Sequence, residues 1–353
     1  MIEQATDVAP ETLSLYDTII DVRSRGEFEE DRIPGAINLP VLSNEERAEV
    51  GTIYVQESRF KARRIGAAHV ARNVARHIET ALADKPAKFR PLLYCWRGGM
   101  RSGSMATILS QIGWRVGVLK GGYKTWRRDV VEGLRGEDRP LNIILLDGQT
   151  GTAKSEILAQ LSTLGVQTID LETHAAHRGS VFGGFADRPQ PTQKYFESLI
   201  WRELCALDPA QPIVIEAESL RIGAREAPPV LWRQMLAAPR ITVTAAPRER
   251  ARYLVRAYHD VVSNKAEIER AITSLAPFHR KAQVKEWRAM ADTDEFEALA
   301  ESLMRLHYDP LYDRGRKRAN AAPLPSLALD RLDEEAIASA AKEIAEIVRS
   351  RFC

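Results

Sequence analysis

Residues 91–102 read PLLYCWRGGMRS, a short apolar run followed by a cysteine, two glycines and two arginines. The run 91–95 has the length and composition of a buried parallel strand, and residues 102–112 repeat apolar side chains with a helical period. A thiol between such elements faces the unpaired N–H groups at the helix start, which stabilise the thiolate, its nucleophilic form. The pattern therefore predicts an anion-binding loop with Cys95 as its nucleophile.

The remaining loop residues support the same interpretation. Gly98 and Gly99 allow the backbone to curl so that its N–H groups point at one anion. Arg97 and Arg101 add positive charge, and we predict that all four residues cradle a group bound at Cys95. A buried cysteine packed at a strand end is the alternative, but it leaves the glycines and arginines unexplained.

Residues 141–155 read LNIILLDGQTGTAKS, a second apolar strand followed by a glycine-containing loop and a helix start. This is the context of a P-loop, whose backbone N–H groups wrap a diphosphate. Gly148 and Gly151 are expected to shape this loop. Lys154 would supply a point charge, and the Ser155 hydroxyl would coordinate Mg²⁺. A chance strand–loop–helix match is the alternative.

Other polar residues are candidates for the same site. Ala153 stands where the usual P-loop pattern has glycine, a departure from the motif. Glu216 and Glu218 close a later apolar run and resemble the end of a Walker B strand, although aspartate is more common there. Two solvated carboxylates at a strand end are the alternative. Arg178 and Ser180 are predicted to contact phosphate or RNA.

The order of these segments predicts an α/β protein with two parallel-sheet domains. We predict a first domain over residues 1–135, with a helical insertion at about 43–88. A polar stretch at 134–140, containing glycine and proline, predicts the linker. The second domain, 136–353, is predicted to be a P-loop α/β domain whose C-terminal region is helical, since its apolar residues after 248 follow a helical period.

The composition is that of a soluble globular protein. The 353 residues include 50 Lys and Arg against 48 Asp and Glu. No apolar run is long enough to cross a bilayer, and the first ten residues lack the features of a signal peptide. Three cysteines without a CxxC pair predict a cytoplasmic protein with neither a zinc site nor a disulfide framework. Of these, Cys205 and Cys353 are expected to be unreactive.

Positive charge is concentrated in three places: the helical insertion, residues 248–256 and a segment near the C-terminus. Such clusters can contact an RNA backbone, and a solvated helix face is the alternative. The candidate RNA contacts are Arg63, Arg64, Arg72, Arg76, Arg314, Arg316, Lys317 and Arg318.

Three short motifs around the cysteine loop resemble those of the rhodanese family. They are Asp21–Arg23 with Glu27–Phe28, Ile33–Asn38, and Leu119–Gly122 through Trp126. The resemblance extends over roughly residues 13–128, interrupted by the helical insertion. It implies a rhodanese-like fold in which Asp21 and Arg23 brace the structure beside the cysteine loop.

One detail departs from simple thiosulfate sulfurtransferases. Five residues separate Cys95 from Arg101, one more than in many single-domain rhodaneses, and this spacing is similar to that of Cys-based phosphatases. A wider loop can accept a tetrahedral phosphate-like group. The sequence therefore favours a phosphate-bearing chalcogen compound over thiosulfate as the donor at Cys95.

The order of parts along most of the chain resembles bacterial tRNA 2-selenouridine synthases. Supporting segments outside the two loops are 50–54, 60–66, 177–183, 190–193, 216–219 and 307–310. The resemblance implies that the sulfur of 2-thiouridine at the tRNA wobble position is replaced by selenium. Geranyl diphosphate first alkylates the sulfur in this scheme. Selenium from selenophosphate, carried by Cys95 as an S-selanyl group, then displaces it.

This scheme gives the P-loop a role without ATP hydrolysis, because geranylation expels a diphosphate whose negative charge the loop can stabilise. The expected co-substrates are geranyl diphosphate, with Mg²⁺, and selenophosphate, and no tightly bound cofactor is expected. The expected partner is tRNA, through its anticodon region, and not a membrane. Two other functions stay open: a rhodanese-type sulfurtransferase fused to a nucleotide kinase or ATPase, and a Cys-x5-Arg phosphatase-like module.

Overall fold

The computed structural model describes residues 1–136, 140–185, 187–217, 219–316 and 323–352. Two five-stranded sheets, both entirely parallel, confirm the predicted α/β class. The chain divides into two compact units. The first comprises residues 1–135 and 192–206, and the second comprises 136–191 and 207–353.

The first unit is a parallel sheet with the strand order β1-β5-β4-β2-β3. Its strands are β1 (Ile2–Ala5), β2 (Thr18–Asp21), β3 (Ile37–Asn38), β4 (Pro91–Tyr94) and β5 (Val116–Leu119). The first six helices are α1 (Pro10–Ser14), α2 (Arg25–Glu30), α3 (Asn44–Gln56), α4 (Arg59–Glu79), α5 (Met100–Gln111) and α6 (Tyr123–Arg135). Every residue of the central strand β4 is buried, as expected for a strand covered on both faces.

Two helices, α3 and α4, occupy most of the segment that the sequence marked as a helical insertion. Both begin at a serine N-cap, since Ser43 accepts a hydrogen bond from the Glu46 N–H and Ser58 accepts one from the Lys61 N–H. They pack against each other, and Val50 of α3 lies beside Gly66 of α4. The insertion is therefore a helical hairpin.

The second unit contains the other parallel sheet, with the strand order β12-β11-β6-β8-β7. The strands from here on are β6 (Ile143–Asp147), β7 (Gln167–Ile169), β8 (Ile213–Glu216), the hairpin pair β9 (Arg221–Ile222) and β10 (Arg225–Glu226), β11 (Arg240–Ala245) and β12 (Pro323–Leu329). The helices that follow α6 in the chain all belong to the second unit except α9. They are α7 (Lys154–Thr163), α8 (Leu171–Ala175), α9 (Gln193–Ala206), α10 (Pro229–Ala237), α11 (Pro247–Ala257), α12 (His259–Val262), α13 (Lys265–Leu275), α14 (Lys281–Asp292), α15 (Phe296–Leu303), α16 (Asp309–Arg316) and α17 (Glu334–Phe352).

Helices dominate the chain after β11, as the sequence predicted, with a 3₁₀ turn at Ala276–Phe278 and a π-helical turn at Met304–Tyr308. Strand β12 is the exception, because it joins the sheet edge beside β11. Its two prolines obscure the strand pattern, yet an edge strand tolerates proline. Pro325 falls at the irregularity between the pairs Arg240–Pro323 and Thr242–Ser326. None of the helices within the described ranges is both long and apolar enough to span a bilayer.

Helix α9 belongs to the first unit, although the sequence analysis placed its residues in the second domain. It packs on α6, where the buried Trp126 indole donates to the Ser198 hydroxyl at 3.0 Å. The Trp201 indole donates to Asp129 at 2.6 Å. The Ser198 hydroxyl in turn donates to the buried Asp31 carboxylate at 2.8 Å. These contacts are between residues distant in sequence, which local patterns do not reveal.

Candidate functional site

The Cys95 sulfur lies in a nest of hydrogen-bond donors between β4 and α5. The residue is 4% exposed, and its Sγ accepts from the Gly99 N–H at 3.2 Å and from the Ser102 hydroxyl at 3.3 Å. Burial by itself opposes ionisation of the thiol. The hydrogen bonds from Ser102, together with the Arg97 and Gly99 N–H groups, outweigh burial and hold the pKa of Cys95 below its ordinary value. The geometry therefore favours the thiolate.

The loop backbone around this sulfur is clamped to the turn that follows β5. Gly98 has a φ of +64°, and a Cβ atom there would lie 2.5 Å from the Leu119 carbonyl oxygen, so only glycine fits. The Tyr123 N–H donates to the Cys95 carbonyl oxygen at 2.8 Å. Gly99 has open space around its Cα, so its contribution to the nest is its N–H group.

The two arginines of the loop have different surroundings. The Arg97 side chain is exposed, and its backbone N–H serves the thiolate. The Arg101 guanidinium, expected to cradle an anion at Cys95, donates to the two Glu27 oxygens at 2.8 and 3.3 Å. Arg47 of α3 makes a second ion pair with Glu27 at 3.2 Å. Burial raises the pKa of Glu27, but these arginines hold it below its usual value.

A polar pocket lies beside the cysteine loop in the first unit. Its lining residues are Ser24, Gly26, Glu27, Glu30, Asn44, Arg47, Trp96 and Arg101. The sequence analysis missed Arg47 and the ionic role of Glu27. The Ser43–Glu46 capping box was an available signal, since it fixes the start of α3 and thereby the position of Arg47. Arg47 and Arg101, which both pair with Glu27, can also bind an anionic substrate through their guanidinium groups.

Asp21 and Arg23 form a buried pair under the loop, in the bracing position that the rhodanese resemblance implied. The Arg23 Nη2 atom lies 2.6 Å from an Asp21 oxygen, and both side chains are inaccessible to solvent. Arg23 also donates to the Asp31 carbonyl oxygen at 2.6 Å and stacks on the Tyr123 ring at 4.1 Å. The pair therefore ties β2 to the elements around Cys95 and touches no open site.

Replacing Ser102 with alanine should raise the pKa of Cys95, because the thiolate loses its hydroxyl donor. A hydrogen bond to a charged group contributes roughly 1.5–3 kcal/mol, so we expect at least about tenfold slower alkylation of Cys95 near neutral pH. The rate of iodoacetamide labelling as a function of pH measures this. Ser104→Ala, an exposed position on the same helix, is the control. An unchanged pH profile in Ser102→Ala would contradict the assigned role of the hydroxyl.

The P-loop connects β6 to α7 in the second unit. A Cβ atom at Gly148 would lie 2.7 Å from the Val243 carbonyl oxygen, and Gly151 has a φ of +85°, so both positions require glycine. Ala153 is the N-cap of α7, at the helix start where the sequence placed it. It has a left-handed backbone, with a φ of 58°, and is 2% exposed. That conformation costs a non-glycine residue roughly 1–2 kcal/mol, which explains the glycine of the usual motif.

Lys154 and Ser155 meet a carboxylate at the end of β8. The Ser155 hydroxyl lies 3.1 Å from one Glu216 oxygen, and Lys154 Nζ lies 3.6 Å from the other. The same hydroxyl also lies 3.1 Å from Glu172 of α8, which the sequence analysis missed. Hydroxyl and carboxylate oxygens are ligands that suit Mg²⁺, so Ser155, Glu172 and Glu216 could hold that ion. No group of three or more His, Cys, Asp or Glu suited to a metal occurs in the described ranges.

Arg178 and Ser180 line the same pocket as the P-loop. Arg178 pairs with Asp260 at 3.0 Å, and its guanidinium stacks on the rings of Phe185 at 4.1 Å and Tyr258 at 4.8 Å. The Ser180 hydroxyl lies 3.3 Å from the Tyr258 hydroxyl. The structure thus brings both residues to the pocket that contains the P-loop and fixes the segment that carries them.

The candidate RNA contacts lie apart from these loops in the chain. The arginines at 63, 64, 72 and 76 are all exposed on α4. Arg314 is exposed on α16 and donates to the Pro310 carbonyl oxygen at 3.0 Å. Arg316 ends that helix. Lys317, Arg318 and the proposed Walker B residue Glu218 lie outside the described residues.

The fold and the two loops define a class, a rhodanese-like cysteine domain joined in one chain to a P-loop domain. The family profile described as rhodanese-like domain matches residues 7–129, and the profile described as tRNA 2-selenouridine synthase AAA domain matches residues 141–282. The chain belongs to the tRNA 2-selenouridine synthase family.

Curated relatives align with most of the chain. Proteins named tRNA 2-selenouridine synthase from Pseudomonas fluorescens and Salmonella schwarzengrund are 30% and 31% identical, and the alignments cover 86% and 85% of this chain and 90% of each relative. A protein of the same name from Cupriavidus pinatubonensis is 33% identical over 68% of this chain and 65% of its own length.

Proposed function

We propose that this chain replaces the sulfur of 2-thiouridine in tRNA by selenium. The observation that carries the proposal is the set of hydrogen-bond donors around the Cys95 sulfur, in a chain that also contains a P-loop. The name of the curated relatives, tRNA 2-selenouridine synthase, supports tRNA as the substrate and 2-selenouridine as the product. A tRNA substrate also favours the cytoplasm as the site of action.

In the first step, the sulfur of 2-thiouridine attacks C1 of geranyl diphosphate. A carbon–sulfur bond forms, the C1–oxygen bond breaks with its electron pair on oxygen, and diphosphate leaves. The N3 proton of the uridine passes to solvent. Lys154 and the N–H groups of the P-loop stabilise the charge of the leaving diphosphate. Ser155, Glu172 and Glu216 would hold Mg²⁺, which would supply further positive charge for the leaving diphosphate.

In the second step, Cys95 carries selenium to the geranylated base. Its thiolate attacks the selenium of selenophosphate, the S–Se bond forms, and the Se–P bond breaks with its electron pair on phosphorus, which takes a proton from solvent and leaves as phosphite. The anionic selenium of the S-selanyl group then attacks C2 of the base, and geranylthiolate leaves. A cellular thiol cleaves the remaining S–Se bond through a mixed disulfide with Cys95, and a second thiol restores the cysteine.

The phosphorus product distinguishes this route from attack on phosphorus. The Cys-x5-Arg spacing also suits a phosphatase-like step, in which Cys95 becomes phosphorylated and hydroselenide leaves. Phosphorus NMR of a single-turnover reaction should reveal phosphite if Cys95 carries selenium. Inorganic phosphate together with a phosphocysteine adduct would exclude the S-selanyl intermediate.

The exposed arginines of α4 are the proposed tRNA contacts in the first unit. Changing both Arg63 and Arg64 to alanine should weaken tRNA binding and lower the salt dependence of log Kd by about 2, since each lost phosphate contact removes about one unit of slope. Filter binding at several salt concentrations measures this slope. Arg270→Ala, an exposed arginine of α13, is the control. The same slope in the double variant and the wild type would assign these arginines to a solvated face.

Nucleoside mass spectrometry tests the function as a whole. Wild-type protein, 2-thiouridine-containing tRNA, geranyl diphosphate, selenophosphate and a thiol reductant should together yield 2-selenouridine. Omitting selenophosphate should leave geranylated 2-thiouridine. ATP turnover without any requirement for tRNA would instead favour the sulfurtransferase fused to a kinase or ATPase. Hydrolysis of phosphomonoesters would favour the phosphatase-like alternative. Efficient sulfur transfer from thiosulfate would favour a simple sulfurtransferase.

A further inference from the structure

An apolar chamber lies among the helices of the second unit. Side chains from α11, α12, α13 and α15 form its walls, and almost all of them are hydrocarbon. Representative lining residues are Leu254, Val261, Ile268, Phe296, Leu299 and Leu303. The chamber is thus a different environment from the polar pocket around Lys154.

The chamber adjoins the pocket that contains the P-loop. Five residues line both spaces: Thr150, Ser180, Leu254, Tyr258 and Tyr308. Thr150 is part of the P-loop itself, so the apolar space begins at the phosphate-binding backbone. Hydrogen bonds fix the two tyrosines at this junction, because the Val181 N–H donates to the Tyr308 hydroxyl at 3.3 Å and Ser180 contacts the Tyr258 hydroxyl.

We propose that this chamber binds the hydrocarbon tail of a prenyl diphosphate whose diphosphate group lies in the P-loop. The inference rests on the proposed function, in which geranyl diphosphate is the alkyl donor. It adds the place of the tail and the residues that select it. A polar head joined to an apolar tail matches the succession of a phosphate nest and an apolar chamber.

The chemistry of the walls favours a tail over a nucleotide base. A purine carries ring nitrogens and exocyclic groups that need hydrogen-bond partners when they are buried. The chamber offers hydroxyl groups only near its junction with the pocket that contains the P-loop. A hydrocarbon tail needs no such partners and gains from the removal of its surface from water.

The chamber is built on a packed scaffold. Ile268, Leu299 and Leu303 belong to a buried apolar cluster that also contains the fully buried Trp287. The Trp287 indole donates to the Ser302 hydroxyl at 3.0 Å, which fixes α14 against α15. A wall held in place before the ligand arrives loses little entropy on binding.

Ala300 of α15 provides the most direct test, because it lines the chamber with a small side chain. In Ala300→Trp the indole should occupy the space of the tail. Ala298→Trp is the matched control, since Ala298 is exposed on the same helix. The two probes are geranyl diphosphate and inorganic pyrophosphate, with affinities measured by isothermal titration calorimetry in the presence of Mg²⁺.

The wild-type chain should bind geranyl diphosphate at least about 100-fold more tightly than pyrophosphate, because the tail is removed from water. Ala300→Trp should lose most of that preference while its pyrophosphate affinity stays unchanged, and Ala298→Trp should retain both affinities. Dimethylallyl diphosphate, with half the tail, should bind the wild type with intermediate affinity. This series needs no variant and tests the proposal even if Ala300→Trp fails to fold.

Equal affinity of the wild type for geranyl diphosphate and pyrophosphate would overturn the proposal. So would tighter binding of ATP than of geranyl diphosphate, if Ala300→Trp weakened the ATP complex. The proposed function can fail separately. If the wild type prefers the prenyl diphosphate but never alkylates tRNA, the tail site is supported and the proposed function is contradicted. Conversely, if Ala300→Trp geranylates tRNA with an unchanged KM for geranyl diphosphate, the tail site is contradicted and the proposed function is supported.

Discussion

Replacing Cys95 with serine is expected to abolish selenium incorporation, with a loss of at least about 1000-fold, and to leave geranylated 2-thiouridine as the accumulating nucleoside. A serine hydroxyl fits the same nest, where the Gly99 N–H and the Ser102 hydroxyl can contact it. It is not ionised near neutral pH, however, and it cannot form a selenium adduct that a thiol later cleaves. The substitution therefore removes the chemistry and retains the geometry.

Nucleoside mass spectrometry of tRNA after reaction with the Cys95→Ser protein measures both products at once. The matched control is Cys205→Ser, because Cys205 is a half-buried thiol on α9. The control should produce 2-selenouridine at the wild-type rate. Equal loss of geranylation and selenation in Cys95→Ser would contradict a separate role for the cysteine loop.

Replacing Lys154 with alanine is expected to reduce geranylation at least about 100-fold, because the developing charge of the diphosphate loses its positive partner. Lys154 is the first residue of α7 and lies 3.6 Å from Glu216. Its removal leaves that carboxylate facing the diphosphate without a neighbouring ammonium group. A tRNA that already carries geranylated 2-thiouridine should still be selenated by this variant.

The rate of geranylated nucleoside formation in single-turnover reactions gives the size of this loss. Lys265→Ala, an exposed lysine at the start of α13, serves as the control and should react at the wild-type rate. Circular dichroism should give the same spectrum for all three proteins. If Lys154→Ala retained geranylation but lost a tRNA-independent ATP hydrolysis, the P-loop would belong to a nucleotide-hydrolysing domain.

Much of the fold could be predicted from local sequence patterns. Strand β4 covers all but the last residue of the predicted run 91–95, and β6 and α7 flank the predicted P-loop. These elements are continuous and apolar, or periodic and flanked by glycine, so short-range preferences determine them. The cysteine loop and the P-loop could be predicted in the same way, because the start of a helix directly after a strand brings several unpaired N–H groups together.

Long-range contacts account for what the sequence did not predict. The ion pairs of Glu27 with Arg101 and Arg47 join three separate segments, so the spacing of residues within one segment does not predict them. Strand β12 depends on pairing with β11, which overrides its two prolines. The left-handed backbone of Ala153 is set by the loop as a whole, whereas alanine alone favours a helix.

The placement of α9 has a consequence for biosynthesis. The chain leaves the first unit after residue 135 and returns for residues 192–206 before leaving it again. The ribosome must therefore synthesise the chain beyond Ser198 before Trp126 can meet its partner. Domains made in order usually fold in order. Here strand β6 and the P-loop are synthesised while the N-terminal unit still lacks a helix, so a fragment ending at residue 135 would expose the indole that α9 covers.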